Sequence, residues 1–339
     1  MTHVGVTPAL RPGRDSDAAD FIALIGACWA EYPGCVMDVD GEVPELHALA
    51  SYYARQGGAL WVSDDGGRVV GMVATRPLGD GAPGSVWEVC KMYAYPRQRG
   101  SGLAGMLIET AEDFARAHGA TGMKLWTDTR FDRAHRFYEN RSYLRAGAIR
   151  ALNDLSNSME FAYAKPLSGI AVQRLDAAAA VSAIPRLAAV LKGCVDAGAS
   201  GSFHAPLAID RARAYWKRIA SQAAMGEKVL FVAWCDGVLV GTVTLGLDMA
   251  ENQMHRGEIR TLLVAPDARG RGIARLLLRA AEAAARDAGC ELLVLDTMTD
   301  GGAEPLYRAE GWQQLGVIPD YSRTAAGAKE ATTFFWKRL

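Results

Sequence analysis

Short runs of β-branched and aromatic residues recur along this chain and are interrupted by turn residues. In 60–74 and 229–245 two such runs flank an Asp-Gly or Gly-Gly turn, which predicts a β-hairpin in each segment. Further apolar runs, 86–95 and 258–265, each end directly before a proline, which is typical of a strand end. The pattern therefore predicts several strands in each half of the chain.

Between these strands the apolar spacing changes from two residues to three and four. Apolar residues from Leu103 onward share one face of a predicted helix, and Gly119 is a typical stop signal for it. The same pattern begins at Ile273 and ends before Gly289. Strands that alternate with amphipathic helices in this way predict a mixed α/β fold.

The two halves repeat each other. Pro96–Ala104 and Pro266–Ala274 share a Pro-x-x-Arg-Gly-x-Gly-x-Ala pattern at an offset of 170 residues. The hairpins, the following strands and a later Tyr-containing segment recur in the same order at nearly the same offset, which chance does not explain. The chain is therefore predicted to consist of two copies of one domain, residues 1–167 and residues 170–339.

Composition narrows the class of protein. The 339 residues are 50% hydrophobic and 22% charged, as in globular proteins, and no run of about 18 apolar residues predicts a transmembrane helix. The first 14 residues lack the apolar core of a signal peptide, so we expect a cytoplasmic protein. A net charge of −1 argues against a binder of nucleic acid or of a membrane surface.

The six cysteines are scattered, and none forms a Cys-x-x-Cys pair. This spacing indicates neither a zinc site nor a disulfide framework, and the histidines also lack metal-ligand spacing. We therefore expect no metal and six buried free thiols. They are Cys28, Cys35, Cys90, Cys194, Cys235 and Cys290.

A glycine loop at the start of each predicted helix carries the candidate chemistry. Gly102 and Gly272 sit where a turn enters a helix, whose free N–H groups and partial positive charge suit a phosphate. Arg99 and Arg269 add a cation to each loop. A single copy of this pattern is often only a tight turn, but its repetition between the same elements favours a diphosphate site. It is neither a Walker loop nor a dinucleotide-binding Gly-x-Gly-x-x-Gly fingerprint.

Both halves resemble the GNAT superfamily of acyl-CoA-dependent N-acyltransferases. The family signature Arg/Gln-x-x-Gly-x-Gly/Ala corresponds to Arg99–Ala104 and Arg269–Ala274, and a second element corresponds to Phe137–Tyr143 and Leu306–Trp312. The second half, with Gly316–Tyr321 among its matches, also resembles the tabtoxin-resistance acetyltransferases, which acetylate an amine of a small toxin.

This resemblance implies two tandem GNAT folds, each a splayed, mostly antiparallel mixed sheet flanked by helices, with acetyl-CoA between two parallel strands. It implies that the loop holds the pyrophosphate and that the preceding strand pairs with the pantetheine arm. The residues expected to bind the cofactor in the first half are Met92, Tyr93, Ala94, Arg99, Gly100, Ser101, Gly102, Leu103 and Ala104. Those in the second half are Leu262, Leu263, Val264, Arg269, Gly270, Arg271, Gly272, Ile273 and Ala274.

The resemblance also implies the catalytic groups. An alkylamine with a pKa of about 10.4 needs a base before it can attack, and Glu258 and Glu88 lie where some members of the family carry that base. Tyr307 and Tyr138 lie at the position of the general acid, which would assist the departing thiolate. The alternatives are ion-paired glutamates at strand ends and tyrosines packed in the core.

The expected oxyanion donors are the backbone N–H groups of Leu262 or Met92. The second loop carries Arg271 where the first carries Ser101, so the second half is the better candidate for the acetyl-CoA site.

These observations predict an acetyl-CoA-dependent N-acetyltransferase that acts on the primary amine of a small molecule. The alternatives are a CoA-binding regulatory or scaffold module in which one or both sites are inactive, or a protein or peptide N-acetyltransferase. We expect a monomer whose two halves pack as an intramolecular pseudo-dimer. An acidic patch could attract a cationic acceptor, although a solvated loop explains it more simply; it comprises Asp38, Asp40, Glu42 and Glu45.

Overall fold

A computed structural model describes residues 9–199 and 201–339 of the protein. The prediction about the N-terminal leader falls largely on residues 1–8, which lie outside the described residues. The chain divides into two compact units. The first runs up to Tyr138 and includes Arg145–Ser168, and the second comprises Glu139–Leu144 and Gly169–Leu339.

In the described part of the N-terminal half, eight strands form one sheet and five α-helices accompany it. The strands are β1 (Leu10–Pro12), β2 (Ala59–Asp65), β3 (Arg68–Pro77), β4 (Val86–Ala94), β5 (Gly122–Asp128), β6 (Leu144–Arg145), β7 (Arg150–Ala151) and β8 (Met159–Pro166). The helices are α1 (Ala18–Trp29), α2 (Val39–Glu42), α3 (Leu49–Arg55), α4 (Leu103–Ala117) and α5 (Asp132–Asn140).

The first sheet has the order β1-β2-β3-β4-β5-β8-β6, with β7 on β8. β4 and β5 are parallel, whereas β1–β2, β2–β3, β3–β4, β5–β8 and β7–β8 are antiparallel. The connection between the parallel strands is α4, as a parallel pair requires a crossover.

The described part of the C-terminal half repeats this plan with seven strands and five α-helices. The strands are β9 (Ile170–Arg174), β10 (Lys228–Cys235), β11 (Val238–Gly246), β12 (Arg256–Val264), β13 (Leu292–Met298), β14 (Gln313–Arg323) and β15 (Lys329–Arg338). The helices are α6 (Ala177–Ser182), α7 (Ile184–Asp196), α8 (Ile209–Ala224), α9 (Ile273–Asp287) and α10 (Glu304–Ala309). The order is β14-β15-β13-β12-β11-β10-β9, in which β12 and β13 are parallel and the other neighbouring strands are antiparallel.

Both faces of the second sheet are covered by helices, which explains the near-continuous hydrophobic run of β10. Successive side chains of a strand point to opposite faces. Leu230 and Val232 therefore pack in one cluster with Trp216 of α8, whereas Phe231 packs in the other with Leu277 of α9. The strand β10 thus separates two cores, one packed against α8 and the other against α9.

The predicted tandem of mixed α/β folds is confirmed. The predicted hairpins and the helices after Gly102 and Gly272 are present in the structure. One difference concerns the last strands: β14 is long, whereas the first half has only the short β6 and β7 in the corresponding region. In the described residues, no helix has the length and apolar character needed to cross a bilayer.

The expectation of six buried thiols is wrong in part. All six cysteines are free, but three of them are only partly buried. Those three are Cys28, Cys35 and Cys90.

Candidate active site

Each sheet opens along its parallel pair of strands. The pairing of β4 with β5 ends where Val89 lies opposite Leu125, and that of β12 with β13 ends where Glu258 lies opposite Val294. β4 and β12 continue beyond these points, so one edge of each has backbone groups that the parallel neighbour does not pair. An extended ligand can add to such an edge as a further strand would.

A β-bulge interrupts both open strands at equivalent positions. The register of β4 against β3 and that of β12 against β11 shift at Lys91 and Thr261, whose φ angles are 45° and 53°. A left-handed conformation is unusual for a residue with a side chain, above all for a β-branched one, and costs about 1–3 kcal/mol. A bulge also leaves one residue outside the ladder. The next residues, Met92 and Leu262, carry the amides predicted to face the acyl oxygen.

The glycine loops have the conformation that their sequence predicts. Helices α4 and α9 begin directly after Gly102 and Gly272, which have φ angles of 86° and 78°. Gly100 and Gly270 are also left-handed, and a Cβ at any of these four positions would meet no heavy atom within 4 Å. The glycines therefore serve the backbone conformation, and the space in front of each helix N-terminus is open. This arrangement fits a diphosphate.

The two loop arginines have different partners. In the first half, Nη2 of Arg99 lies 2.5 Å from a carboxylate oxygen of Glu31, so an acid already balances its charge. In the second half, Nε of Arg269 donates a hydrogen bond to the carbonyl of Val264 at 3.2 Å. Arg269 thus connects the loop to the end of β12 without an anionic partner in that contact.

The position after the first loop glycine also differs between the halves. The Ser101 hydroxyl turns back to its own loop, where it accepts a hydrogen bond from the amide of Leu103 at 3.2 Å. Its counterpart Arg271 places Nη1 at 2.8 Å from Sγ of Cys235 and at 3.6 Å from a carboxylate oxygen of Asp236. Arg271 therefore places an arginine between the two loop glycines, where the first half has the neutral Ser101.

The other residues predicted to bind the cofactor lie on the open strands or in the first turn of the following helix. Side chains of Leu103 and Ile273 are buried in the cores, so these residues offer a ligand their backbone. The phenol oxygen of Tyr93 accepts a hydrogen bond from Nε1 of Trp29 at 3.2 Å, which directs that ring toward α1. The strand residues are Met92, Tyr93, Ala94, Leu262, Leu263 and Val264, and the helix residues are Leu103, Ala104, Ile273 and Ala274.

Arg76 binds Glu88 through two nitrogens that contact one carboxylate oxygen, Oε2. This oxygen lies 2.9 Å from Nε and 2.7 Å from Nη2 of Arg76, which faces it from β3. Arg76 also donates a hydrogen bond to the side-chain oxygen of Gln56 at 2.5 Å. Glu88 is only 8% exposed. Arg76 therefore occupies the Oε2 atom of Glu88, which leaves that oxygen less accessible to a substrate amine.

Glu258 has a looser environment at the equivalent position. One oxygen lies 2.5 Å from Nη2 of Arg260, a residue on the same strand whose side chain is half exposed. Asp296 of β13 lies beyond the last parallel pair, and although the residue as a whole is exposed, its carboxyl group is partly desolvated. Burial of its carboxyl group and the charge of Glu258 both raise the pKa of Asp296. Two carboxylates therefore face the opening of the second sheet.

Tyr307 joins this group from α10. Its ring packs against Trp312 and Phe335, with centroid distances of 6.1 and 5.7 Å. Burial, with a further contribution from the charge of Asp296, raises the pKa of Tyr307 to about 12. Asp296 thus interacts electrostatically with both Glu258 and Tyr307, the predicted catalytic groups of the second half.

In the first half, Tyr138 lies beside the open strand. Its hydroxyl is 3.8 Å from Sδ of Met92, one of the residues predicted to contact the cofactor. Burial raises the pKa of this phenol, so it stays protonated at neutral pH.

Sequence reasoning missed Arg76 and Asp296. Both depend on strand register, which the spacing of apolar residues does not reveal. The residue 170 positions before Asp296 is Trp126, whose ring lies 4.4 Å from Nζ of Lys124 and 4.0 Å from the guanidinium carbon of Arg150. Where the second half carries an acid, the first half therefore carries an aromatic ring between two cations.

The acidic patch of the first half is a set of local contacts. Each of its four carboxylates has a partner: Asp38 caps α2 at the amide of Gly41, Asp40 pairs with His47, Glu42 accepts from the amide of Leu155, and Glu45 pairs with Lys91. Across 9–199 and 201–339, no three His, Cys, Asp or Glu side chains are grouped so that they could hold a metal ion.

Comparison with known proteins agrees with this geometry. The model of the acetyltransferase (GNAT) family matches residues 24–143 and residues 202–312. One relative is N-acetyltransferase 8F1 of Rattus norvegicus, 29% identical over 37% of this chain and 54% of its own length. The chain thus spans about half the length of that protein. The uncharacterized N-acetyltransferase YjgM of Escherichia coli is 35% identical over 40% of this chain and 80% of its own.

Solved structures of acetyltransferases are similar to a part of this chain. The ribosomal-protein-alanine N-acetyltransferase of Brucella melitensis is 22% identical, with a TM-score of 0.42, and the similarity covers 50% of this chain and 99% of that one.

Proposed function

Because this chain belongs to the acetyltransferase (GNAT) family, we propose that it transfers an acetyl group from acetyl-CoA to the primary amine of a small molecule. The site proposed for this reaction is the opening between β12 and β13 in the second half. The observation that carries the proposal is the position of Asp296, whose pKa is raised by burial and by the charge of Glu258 and whose own charge contributes to the raised pKa of Tyr307.

The acyl donor would be held by the open strand and the glycine loop. The amides of residues 270–272, together with Arg269 and Arg271, suit the diphosphate, and the free edge of Leu262–Val264 suits the extended pantetheine arm. The open space before the loop supports this placement. Acetyl-CoA supplies an acetyl group activated as a thioester.

In the proposed reaction, the amine nitrogen attacks the thioester carbonyl carbon directly. Glu258 accepts a proton from the amine, either directly or through a water molecule. The Leu262 amide donates a hydrogen bond to the carbonyl oxygen as that oxygen gains charge. The carbon–sulfur bond then breaks, and the nitrogen keeps the acetyl group.

Tyr307 would act on the departing sulfur. Its pKa of about 12 lies well above that of a thiol, about 8.5, so complete transfer of the phenol proton to the thiolate is unfavourable. We therefore assign Tyr307 the part of the general acid as a hydrogen-bond donor to the thiolate.

For the first half, a different role is better supported. Arg76 neutralises Glu88, and Glu31 balances Arg99. These two ion pairs favour a domain that binds CoA, or only supports the fold, over a second transferase centre. The CoA-binding regulatory or scaffold module is therefore the second candidate function, confined to this half.

The acceptor is proposed to be a small cationic amine, since Glu258 and Asp296 place two carboxylates at the opening. We further propose that the protein works as a monomer in the cytoplasm.

Thiol release from acetyl-CoA in a panel of small amines, amino acids and peptides tests the proposal. The wild-type protein should release CoA with at least one small amine, and Glu258→Gln should abolish most of that release. Release with peptides alone would favour a peptide acetyltransferase. Absence of release with every acceptor, despite acetyl-CoA binding by calorimetry, would favour the binding module.

A further inference from the structure

A hydrogen bond from helix α8 holds the bulge of the second site. The hydroxyl oxygens of Tyr215 and Thr261 lie 2.6 Å apart, and both residues are partly buried. Thr261 is the left-handed residue that creates the bulge in β12. A residue in such a conformation persists only where its surroundings hold it there.

The first half has an equivalent contact with different chemistry. Lys91, the bulge residue of β4, places Nζ at 2.9 Å from a carboxylate oxygen of Glu45, and the two side chains are only 21% and 19% exposed. Glu45 lies in the helical segment before the first hairpin, as Tyr215 does before the second. Both halves therefore connect the bulge residue to the helical layer on the face opposite α4 or α9.

The connection matters because the bulge has little other support. β13 no longer pairs with β12 at this level, and the extra residue interrupts the ladder with β11 between Thr242 and Thr244. A bulge can move along a strand by one residue, which would turn the next amide away from the opening. The hydrogen bond between Tyr215 and the Thr261 side chain is thus a contact through which α8 can hold the bulge at one position.

We propose that Tyr215 is a positioning residue for acetyl transfer, because its hydrogen bond to Thr261 holds the bulge that aims the Leu262 amide at the acyl oxygen. This inference rests on the proposed function of the second half. It assigns Tyr215 no contact with the reacting atoms, since it acts through the backbone of β12.

The competing explanation is that Tyr215 only packs. Its ring stands edge-on to Trp216 and Phe203, with centroid distances of 5.1 and 5.5 Å. Tyr215→Phe keeps these ring contacts and removes the hydroxyl, so the variant separates the two explanations.

The test measures kcat and the KM for acetyl-CoA with an amine that the wild-type protein acetylates. Tyr215→Phe should lower kcat by about tenfold or more and leave the KM for acetyl-CoA within about twofold, since an oxyanion donor acts on the transition state. Thr261→Val should have the same effect, and Thr261→Ser, which keeps the hydroxyl, should stay close to wild type. The double variant Tyr215→Phe/Thr261→Val should be no slower than either single variant.

Tyr52→Phe, which removes a phenol hydroxyl from α3 of the first unit, is the matched control and should leave kcat unchanged. Hydrogen exchange of the amides of residues 259–264 gives a second readout that needs no activity. Exchange should be at least about fivefold faster in Tyr215→Phe than in the wild-type protein, because the flanking ladder loosens.

The outcomes distinguish failure of the positioning role of Tyr215 from failure of the proposed acetyl transfer. Transfer by the wild-type protein together with an unchanged kcat in Tyr215→Phe overturns the positioning role. If the wild-type protein transfers no acetyl group, the proposed function fails. Unchanged hydrogen exchange of residues 259–264 in Tyr215→Phe would then also overturn the proposed restraint of the bulge by Tyr215. Should Tyr215→Phe fail to fold, comparison of Thr261→Val with Thr261→Ser decides the question in the same way.

Discussion

The hydroxyl oxygens of Tyr215 and Thr261 lie 2.6 Å apart, so a helix is connected to the point where β12 departs from regular strand geometry. At the corresponding point 170 residues earlier, Glu45 holds Lys91 by an ion pair. In the second half a hydrogen bond between a phenol and a hydroxyl restrains the bulge. In the first half an ion pair between a carboxylate and an ammonium group does the same. The two halves therefore share the restraint on the bulge, although they do not share the residues that provide it.

Replacement of Gly272 by glutamate should block the diphosphate site. A side chain at this left-handed position would project into the open space before α9 and bring a negative charge to the place proposed for the phosphates. We expect acetyl-CoA affinity, measured by calorimetry, to fall at least about tenfold, or about 1.4 kcal/mol.

The matched control is Gly289→Glu. Gly289 is also left-handed, at 78°, and also has open space around its Cβ, but it follows the other end of α9. It should carry the same backbone strain without loss of affinity. Equal affinity in both variants would remove the second loop from the cofactor site.

Glu258→Gln should remove the general base. We expect kcat/KM near neutral pH to fall by about 10²- to 10⁴-fold, with acetyl-CoA binding retained. Glu88→Gln should have a much smaller effect on turnover, since Arg76 already occupies the Glu88 carboxylate. Similar losses in the two variants would contradict the assignment of the reaction to the second half.

Tyr307→Phe should lower kcat and leave acetyl-CoA affinity unchanged, because the lost hydrogen bond forms to sulfur only as the thiolate departs. The measurement is best made in a Tyr138→Phe background, which removes any contribution from the first half.

The pH profile gives a separate test of Tyr307. Because burial raises its pKa to about 12, the phenol keeps its proton throughout the neutral and moderately alkaline range and loses it only near pH 12. Any decline in the turnover of the wild-type protein below pH 10 should therefore persist in Tyr307→Phe. Such a decline would show that the phenol ionises much earlier than its buried environment implies.

The two glutamate–arginine pairs should differ in their contribution to stability. Arg76→Met leaves the 8%-exposed Glu88 without its guanidinium, and loss of one partner of a buried pair costs about 3 kcal/mol. Arg260→Met leaves Glu258 in contact with solvent, so the cost should be below about 1 kcal/mol. Urea unfolding of the two variants measures this difference, and equal costs would contradict the distinction between the two sites.

Much of the fold follows from local patterns. The helix after Gly272 was predicted because glycine permits the left-handed residue that precedes the first turn and because apolar residues recur on one face. The glycine loops and the internal repeat could be predicted for the same reason, since both depend on residues that are close in sequence or related by a constant offset. The candidate residues Glu258 and Tyr307 came from the family motif, and their catalytic parts stay predictions.

The sequence by itself determined the tandem of two α/β units, the glycine loops and the family, because periodicity, turn chemistry and motif spacing are properties of neighbouring residues. Only the tertiary structure decided that Glu88 is neutralised by Arg76 and that Asp296 approaches Glu258 and Tyr307. It also decided that Tyr215 reaches Thr261. These relationships depend on strand register and on the contact of a helix with a distant strand, where one residue of slip changes every partner.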